Sequence, residues 1–344
     1  MATHRGITPV ASFMVREVLD NDSSPLVDYR DNRTTRGFNK FCKDLNKRMD
    51  EEDVDVRIDW RSIPLKTIRK LLVYDKDTGE LSTSRLDRQP AGSIDTSVHM
   101  NAQKGRHNDG GRLWAPGYQN IKREIRRYLT INGEPTVEVD MQANWARLVY
   151  AKRVKKQYTG DPYSAVVNSF YDGSYGEDVR GILRDWVKLT MIKMFSVSSR
   201  QKAKDAATRT PPYKTWAQPM KDIVFGMLGN PRAVGDAIVS KVEEVHPELV
   251  PWFYVQEGWK CQALEGFIAR GILEECLLTK PKGEGIVTLV EHDGFITAER
   301  NASQLSLYIL KVYKECFGND FYPVLTCKKV PQSNKMPATD AADF

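Results

Sequence analysis

The chain has 344 residues, 41% of them hydrophobic and 28% charged, and a formal net charge of +6. These values are typical of a soluble globular protein with one large or two ordinary domains, and they exclude a disordered or fibrous chain. No run of about 18 apolar residues predicts a membrane-spanning helix, and no apolar secretory segment follows the start, so we expect no membrane partner and a cytoplasmic protein.

The cysteines are scattered along the chain. They are Cys42, Cys261, Cys276, Cys316 and Cys327. An odd number without any CxxC spacing predicts reduced thiols and no zinc site.

The first third of the sequence is polar. Residues 1–60 are mixed in charge. Residues 20–25 and 28–36 predict loops, and helices are expected over residues 37–49 and 65–72. Residues 71–85 predict a hairpin, because an Asp-Thr-Gly turn lies between two β-prone stretches. Residues 88–111 are rich in Gly, Asn, His and Ser and predict a loop or a domain boundary.

A basic stretch follows. Residues 110–133 predict a short extended segment and then one basic helix that ends at Asn132-Gly133. The basic residues between positions 104 and 127 are Lys104, Arg106, Arg112, Lys122, Arg123, Arg126 and Arg127. They could contact a phosphate backbone, and Trp114 among them could stack on bases; the alternative is a solvated basic face.

An apolar alternating segment, PTVEVDM, ends near an acid. It predicts a strand on which Glu138 and Asp140 share one face and Val137 and Val139 the other. Asp140 is a candidate metal ligand. The alternative is that Asp140 caps the next helix by accepting backbone N–H groups near Ala143.

A second acid lies in GIVTLVEHDGFIT, which predicts a tight hairpin. Asp293 there is either a turn residue, since Asp-Gly is a strong hairpin signal, or a carboxylate raised from the sheet into a cleft. Two carboxylates at strand ends on separate segments are suited to a pair of Mg²⁺ ions that clamp the attacking and leaving oxygens in phosphoryl transfer.

Helices are predicted between and after these strands. They cover residues 162–171, 177–195, 213–228, 231–245, 258–278 and 299–317, and a last strand is predicted at 323–330. In the second of them, Arg180, Arg184 and Lys188 recur every four residues on one stripe. Such a stripe could neutralise a triphosphate, or it could be a solvated helix face.

Strands and helices that are segregated along the chain predict an α+β fold. We expect an antiparallel sheet that carries the acids, with helices covering one face. The predicted domains are residues 1–109, an N-terminal accessory or nucleic-acid-binding region, and residues 110–330, which carry the acids. Residues 331–344 contain too few apolar side chains to fold alone and predict a mobile tail.

Five short motifs in this order resemble the family A DNA polymerases and the related phage-type single-subunit RNA polymerases. GGRLWA resembles their glycine–arginine motif, VEVDMQANWARLVYA motif A, RDWVK motif B, WKCQALEGFIARGI the helix before motif C, and EHDGFIT motif C. The matched region covers about residues 110–300.

The resemblance implies a polymerase-like palm with helical fingers, and a role for each matched residue. Asp140 and Asp293 would hold two Mg²⁺ ions, for which Mn²⁺ could substitute, and Arg184 and Lys188 would act on the triphosphate. The residues expected to contact nucleic acid are Arg112, Lys122, Arg123, Arg126, Arg127, Gln262 and His292.

Three positions depart from the family pattern. Ser196, preceded by Phe195, stands where motif B has a Tyr-Gly pair, so base stacking would fall to Phe195. Gly294 stands where the DNA enzymes carry an acidic residue directly after the Asp of motif C. Trp145 stands where those enzymes carry a Glu against ribose, and it could gate the nucleotide or simply pack.

The sequence therefore predicts an enzyme: a DNA-templated nucleotidyltransferase, either a small polymerase or a primase-like protein of a phage or plasmid, in the host cytoplasm if phage-encoded. Its expected partners are a DNA template or primer–template and nucleoside triphosphates. The alternatives are a non-catalytic protein that binds primer–template, motivated by Ser196 and Gly294, and a metal-dependent nuclease that uses the same two aspartates.

Overall fold

The computed structural model describes residues 13–16, 32–69, 72–74, 81–82, 89–103, 111–209 and 218–329. Their fold is α+β, as predicted. The chain divides into two units: unit 1 comprises Met1–Asp140, Gly266–Ile309 and Leu325–Phe344, and unit 2 comprises Met141–Glu265 and Leu310–Val324. This division differs from the predicted domains, because both sides of the expected boundary at residue 109 belong to unit 1.

Unit 1 contains a six-stranded sheet. Its strands are β2 (Val56–Ile58), β7 (Leu129–Ile131), β8 (Glu134–Met141), β9 (Thr288–Glu291), β10 (Gly294–Ala298) and β11 (Leu325–Lys329). The order is β2-β7-β8-β10-β9, with β11 also paired to β8. Each of the four pairings along that order is antiparallel.

The register of three neighbouring strands, β8, β10 and β9, places two acids in one row. Asp140 of β8 pairs with Gly294 of β10, and Gly294 pairs with Glu291 of β9. Directly opposed residues of antiparallel strands point to the same face. Val137 and Val139 alternate with the acids and are buried on the other face, as predicted.

The remaining strands of unit 1 form two smaller sheets. β1 (Phe13–Arg16) pairs in parallel with β5 (His99–Gln103), which pairs antiparallel with β6 (Arg112–Trp114). β3 (Val73–Tyr74) and β4 (Leu81–Ser82) pair as the predicted hairpin. The helices of this unit are α1 (Arg33–Glu51), α2 (Leu65–Arg69), α3 (Pro116–Gln119) and α4 (Arg123–Arg126).

Unit 2 is helical. It contains α5 (Asn144–Val149), α6 (Pro162–Asn168), α7 (Gly176–Ser196), α8 (Arg200–Arg209), α9 (Gln218–Leu228) and α10 (Pro231–Val245). Their apolar faces form one core in which Trp186 and Phe195 are buried. Two helices, α11 (Gly258–Leu273) and α12 (Ala302–Phe317), contribute residues to both units. Among the described residues, no helix combines the length and apolar character needed to cross a membrane.

The prediction of a single basic helix before Asn132-Gly133 was wrong. The segment forms β6, the short helices α3 and α4, and then β7. Asn132 and Gly133 have positive φ angles of 52° and 77° and form the two-residue turn between β7 and β8. The Asn-Gly pair between β-prone residues was therefore a hairpin signal rather than a helix end.

Several further elements lie where the sequence predicted none. β1 and β2 lie within residues 1–60, for which no strand was predicted. β5 is inside the segment expected to be a loop, and its hydrogen bonds come from strands distant in sequence. α8 has only Ala203 and Ala207 on its buried side, too little apolar periodicity for recognition. The predicted tail, residues 331–344, lies outside the described residues, as do residues 213–217 of a predicted helix.

Candidate functional site

Asp140 lies on β8 of unit 1, and Asp293, which is far away in sequence, lies in the hairpin turn directly before the neighbouring strand β10. Asp140 pairs with Gly294, and Asp293 directly precedes Gly294 in the chain. Both acids are half-buried. A Cβ atom at Gly294 would lie 3.5 Å from the Oδ1 atom of Asp140, so the absence of that side chain leaves room beside the carboxylate.

The alternative role of Asp140 as a helix cap was wrong. The N-cap of α5 is Ala143, whose φ is 50°, and no side chain caps that helix. The other acid does lie in a turn: Glu291 pairs with Gly294, so His292 and Asp293 form the loop of the hairpin. His292 takes the positive φ, at 56°. The turn therefore places Asp293 directly before the residue that pairs with Asp140, and Asp140 is not engaged in a helix end.

Two more carboxylates crowd this face of the sheet, Glu138 on β8 and Glu291 on β9. Glu291 is 8% exposed. Burial, together with the negative charges of Glu138 and Asp293, raises the pKa of Glu291 to about 7, although Arg126 and Arg112 act in the opposite direction. Burial is the largest of these influences, so this end of the sheet holds a carboxyl group in a poorly solvated position.

Arginines surround the hairpin. Arg126 forms a 2.9 Å ion pair with Glu291, and both side chains are largely buried. Desolvation, and then the charges of Arg112 and Arg126, lower the pKa of His292 to about 4. His292 is therefore neutral at physiological pH and can offer one ring N–H and one ring nitrogen lone pair.

Lys328 on β11 bridges two of the acids. Its Nζ atom lies 2.7 Å from the Oδ2 atom of Asp140 and 2.9 Å from the Oε1 atom of Glu138. Burial opposes the charged form, but these two hydrogen bonds raise the pKa of Lys328. The sequence predicted the strand PVLTCKKV but not this partner, since nothing in the sequence indicates which strand β11 would join.

The predicted basic cluster divides in the structure. A cavity of about 170 Å³ is lined by Arg123, Arg126, Arg127, Thr136, Glu138, Ile296, Lys328 and Lys329. Lys122 is exposed and does not line it. Arg123 and Arg127 have no ion pair among the described residues, so they remain available to an anionic ligand.

The cationic stripe of α7 belongs to unit 2. Arg184 donates a 2.6 Å hydrogen bond to Asp161 and lies over the ring of Tyr163. Arg180 donates to Asn168. Lys188 is exposed and pairs with no described acid. Arg184 already neutralises Asp161, whereas Lys188 remains available, and a triphosphate-binding role for either residue stays a prediction.

Trp145 and Phe195, which were expected to select the nucleotide, both pack within unit 2. Phe195 is 1% exposed and contacts Phe253, so it is a core residue that cannot stack on a base while the core is intact. A Cβ atom at Gly258 would lie 2.8 Å from the ring of Trp145, which favours the packing role for Trp145. Gln262 is half-buried on α11, also in unit 2.

The acids of unit 1 fit a magnesium site in the kind of ligand they offer. Carboxylate oxygens are the ligands that Mg²⁺ prefers, and Gly294 leaves room beside them. Across the described residues, however, no three His, Cys, Asp or Glu side chains are gathered around a common point. The ammonium group of Lys328 stands beside Asp140 and Glu138, where a cation would be held.

Compared with known proteins, the chain matches no protein-family model and no curated sequence.

Proposed function

We propose that the protein is a DNA-templated nucleotidyltransferase that adds nucleotides to a 3′-OH group, as a small polymerase or primase-like enzyme. The proposal rests on one observation. Asp140 pairs with Gly294, the residue that directly follows Asp293 in the chain. The buried Glu291 on the neighbouring strand β9 supports it, because carboxyl groups whose pKa is raised, here mainly by burial, cluster at functional sites.

Each group has a distinct task in this proposal. Asp140 and Asp293 would hold two Mg²⁺ ions, which, when bound, lower the pKa of the attacking hydroxyl and stabilise the leaving pyrophosphate. Arg123 and Arg127, exposed at the cavity of unit 1, would contact the phosphate backbone. Lys188 would neutralise the triphosphate. These residues act by positioning the reactants and neutralising charge.

A second candidate function is binding of primer–template without catalysis. It is favoured by the ion pair of Lys328 with Asp140, since an ammonium group at that carboxylate takes the place of one cation. Under this alternative Lys328 neutralises the charge of Asp140 and Glu138 in place of a metal ion. Only the basic residues would then contact the nucleic acid.

An incorporation assay separates the candidates. The purified full chain is given primed or unprimed single-stranded DNA, Mg²⁺, and either ribo- or deoxynucleotides. The polymerase proposal predicts strand extension by the wild type and a loss of about a hundredfold or more in Asp140→Asn and Asp293→Asn, because each removes charge from the proposed metal ligands. The matched control is Asp172→Asn, an exposed turn residue that bonds only Ser174.

The outcomes are distinct. Wild-type extension by either site variant contradicts the metal assignment. Shortening of labelled DNA with Mn²⁺ in the absence of nucleotides indicates the nuclease. Lys328→Gln adds a further criterion: if Lys328 competes with a metal ion, this variant reaches half-maximal extension at a lower Mg²⁺ concentration, whereas a non-catalytic protein extends no strand in either form.

A further inference from the structure

Helix α1 of unit 1 carries a line of exposed basic side chains. They are Arg33, Arg36, Lys40, Lys43 and Lys47, hereafter the α1 stripe. Their spacing of three, four, three and four residues keeps them on one side of the helix. At 1.5 Å per residue, the stripe extends for about 20 Å.

The opposite side of the same helix is fixed in the core. Phe38, Phe41, Cys42 and Leu45 are each at most 3% exposed. Packing of these residues, together with the capping box between Asn32 and Thr35, sets the orientation of the helix. The cations of the stripe are therefore displayed on a rigid element rather than on a flexible loop.

Most of the stripe has no counter-charge within the part of the chain that the structure describes. Arg33, Arg36 and Lys43 form no ion pair with any described residue, and no acid occurs between Arg33 and Lys43. Lys40 and Lys47 pair with exposed acids one turn later, Asp44 and Glu51. Such exposed pairs contribute little and can be exchanged for an external anion.

The stripe also begins where cations are least favourable. The first turn of α1 contains Arg33 and no acidic residue, and Arg36 follows immediately. The N-terminal end of a helix carries partial positive charge, so basic residues there destabilise the folded protein unless an anion lies nearby. This arrangement indicates a binding role rather than a stabilising one.

We propose that the α1 stripe binds the phosphate backbone of a nucleic-acid duplex. A duplex presents phosphates at regular intervals along a length that matches the stripe, and cations neutralise them without reading sequence. Single strands are instead bound with the help of exposed aromatic side chains, and the aromatic residues of α1 are buried. Insertion into a membrane surface would require the apolar face, which is already packed in the core.

The inference extends the proposed function by naming a duplex-binding surface apart from the acids, but it does not depend on catalysis. Duplex binding is measured by fluorescence anisotropy on the full chain, without divalent cations or nucleotides, over a series of salt concentrations. The test variant is R33Q/R36Q/K40Q/K43Q. The control, K66Q/K202Q/K282Q/K314Q, removes the same charge from exposed lysines elsewhere.

The test variant should bind the duplex at least about tenfold more weakly at low salt than the control, and its log–log salt slope should be shallower by up to about 0.9 for each cation that contacts a phosphate. Its melting temperature should be unchanged or higher, because cations leave the helix N-terminus. Should the multiple variant fold poorly, Arg36→Gln alone should lower the slope by about one.

Three results would overturn this proposal. They are equal duplex affinity in the test and control variants, a loss confined to a single-stranded oligonucleotide, and a loss of binding only to vesicles of anionic phospholipid. The proposed catalytic function fails separately. Absence of nucleotide incorporation with an intact dependence of duplex binding on the stripe would reject the enzyme and keep the duplex surface.

Discussion

Charged side chains are arranged differently in the two units. In unit 2, Asp161 accepts hydrogen bonds from the backbone N–H of Tyr163, the hydroxyl of Ser164 and the guanidinium of Arg184. Burial opposes its ionisation, yet these bonds lower the pKa of Asp161. The buried Arg147 likewise donates to the backbone carbonyls of Gln142, Tyr158 and Gly160. Each of these charges has a complete set of partners.

In unit 1 the acids at the strand ends are crowded instead of paired one to one. Lys328 is shared by Glu138 and Asp140, and Glu291 has a pKa raised to about 7 despite its ion pair with Arg126. A charge that stabilises a fold usually resembles Asp161. A buried carboxylate whose pKa is raised in this way reduces stability when it is ionised, and such groups cluster at functional sites.

The largest effect on stability is expected at the ion pair of Asp161 with Arg184 in unit 2. Asp161→Ala removes the N-cap of α6 and leaves Arg184 without its acid, which should lower the free energy of unfolding by about 2 to 3 kcal/mol. Denaturant titration measures this change. Asp172→Ala, at an exposed turn, is the control and should cost well under half as much; equal losses would show that the Asp161 pair is not structural.

The crowded acids predict a smaller effect of opposite sign. Because the pKa of Glu291 in the folded protein is about 7, above its value in an unfolded chain, the folded state holds the proton more tightly. Stability therefore falls as pH rises from about 4.5 to about 7. Glu291→Gln should raise the free energy of unfolding by about 1 to 2 kcal/mol at pH 8 and leave it unchanged at pH 4.

The control for this pH dependence is Glu284→Gln, an exposed residue of the same unit. Unfolding is followed by denaturant at both pH values for all three proteins. If Glu291→Gln is no more stable than the wild type at pH 8, then ionisation of Glu291 does not destabilise the folded protein, and the contrast between the units disappears.

The smallest effect on stability is expected at Lys188 of unit 2. This residue is exposed and has no partner among the described acids, so Lys188→Gln should change the free energy of unfolding by less than about 0.5 kcal/mol. If the proposed function holds, the KM for nucleoside triphosphate should nevertheless rise. Arg184→Gln serves as the comparison and should lose stability through Asp161; an unchanged KM in Lys188→Gln would remove the triphosphate role.

Elements with strong local signals could be predicted from the sequence. The bounds of α10 agree with the prediction of residues 231–245, because Asn230 caps the helix and Pro231 begins it. The β9–β10 hairpin was also predicted, although His292 rather than Asp293 adopts the positive φ. In these segments, capping and turn residues determine the structure within a few positions of the chain.

Elements that depend on distant partners could not be predicted. β2 has three residues, and its pairing partner β7 lies far away in the sequence. The burial of Phe195 depends on which side of α7 meets the core, and Lys328 reaches Asp140 only because β11 joins β8. The two acids of the candidate site were found from local strand patterns, but their immediate surroundings follow from tertiary structure.

The central claim is that Asp140 and Asp293 serve one divalent-cation centre. Calorimetric titration of the full chain with Mn²⁺ tests it most directly, with wild type, Asp140→Asn, Asp293→Asn and the Asp172→Asn control. We expect Mn²⁺ binding in the wild type and in the Asp172→Asn control, and a loss of Mn²⁺ binding in each of the variants Asp140→Asn and Asp293→Asn. Unchanged Mn²⁺ affinity in either Asp140→Asn or Asp293→Asn would contradict it.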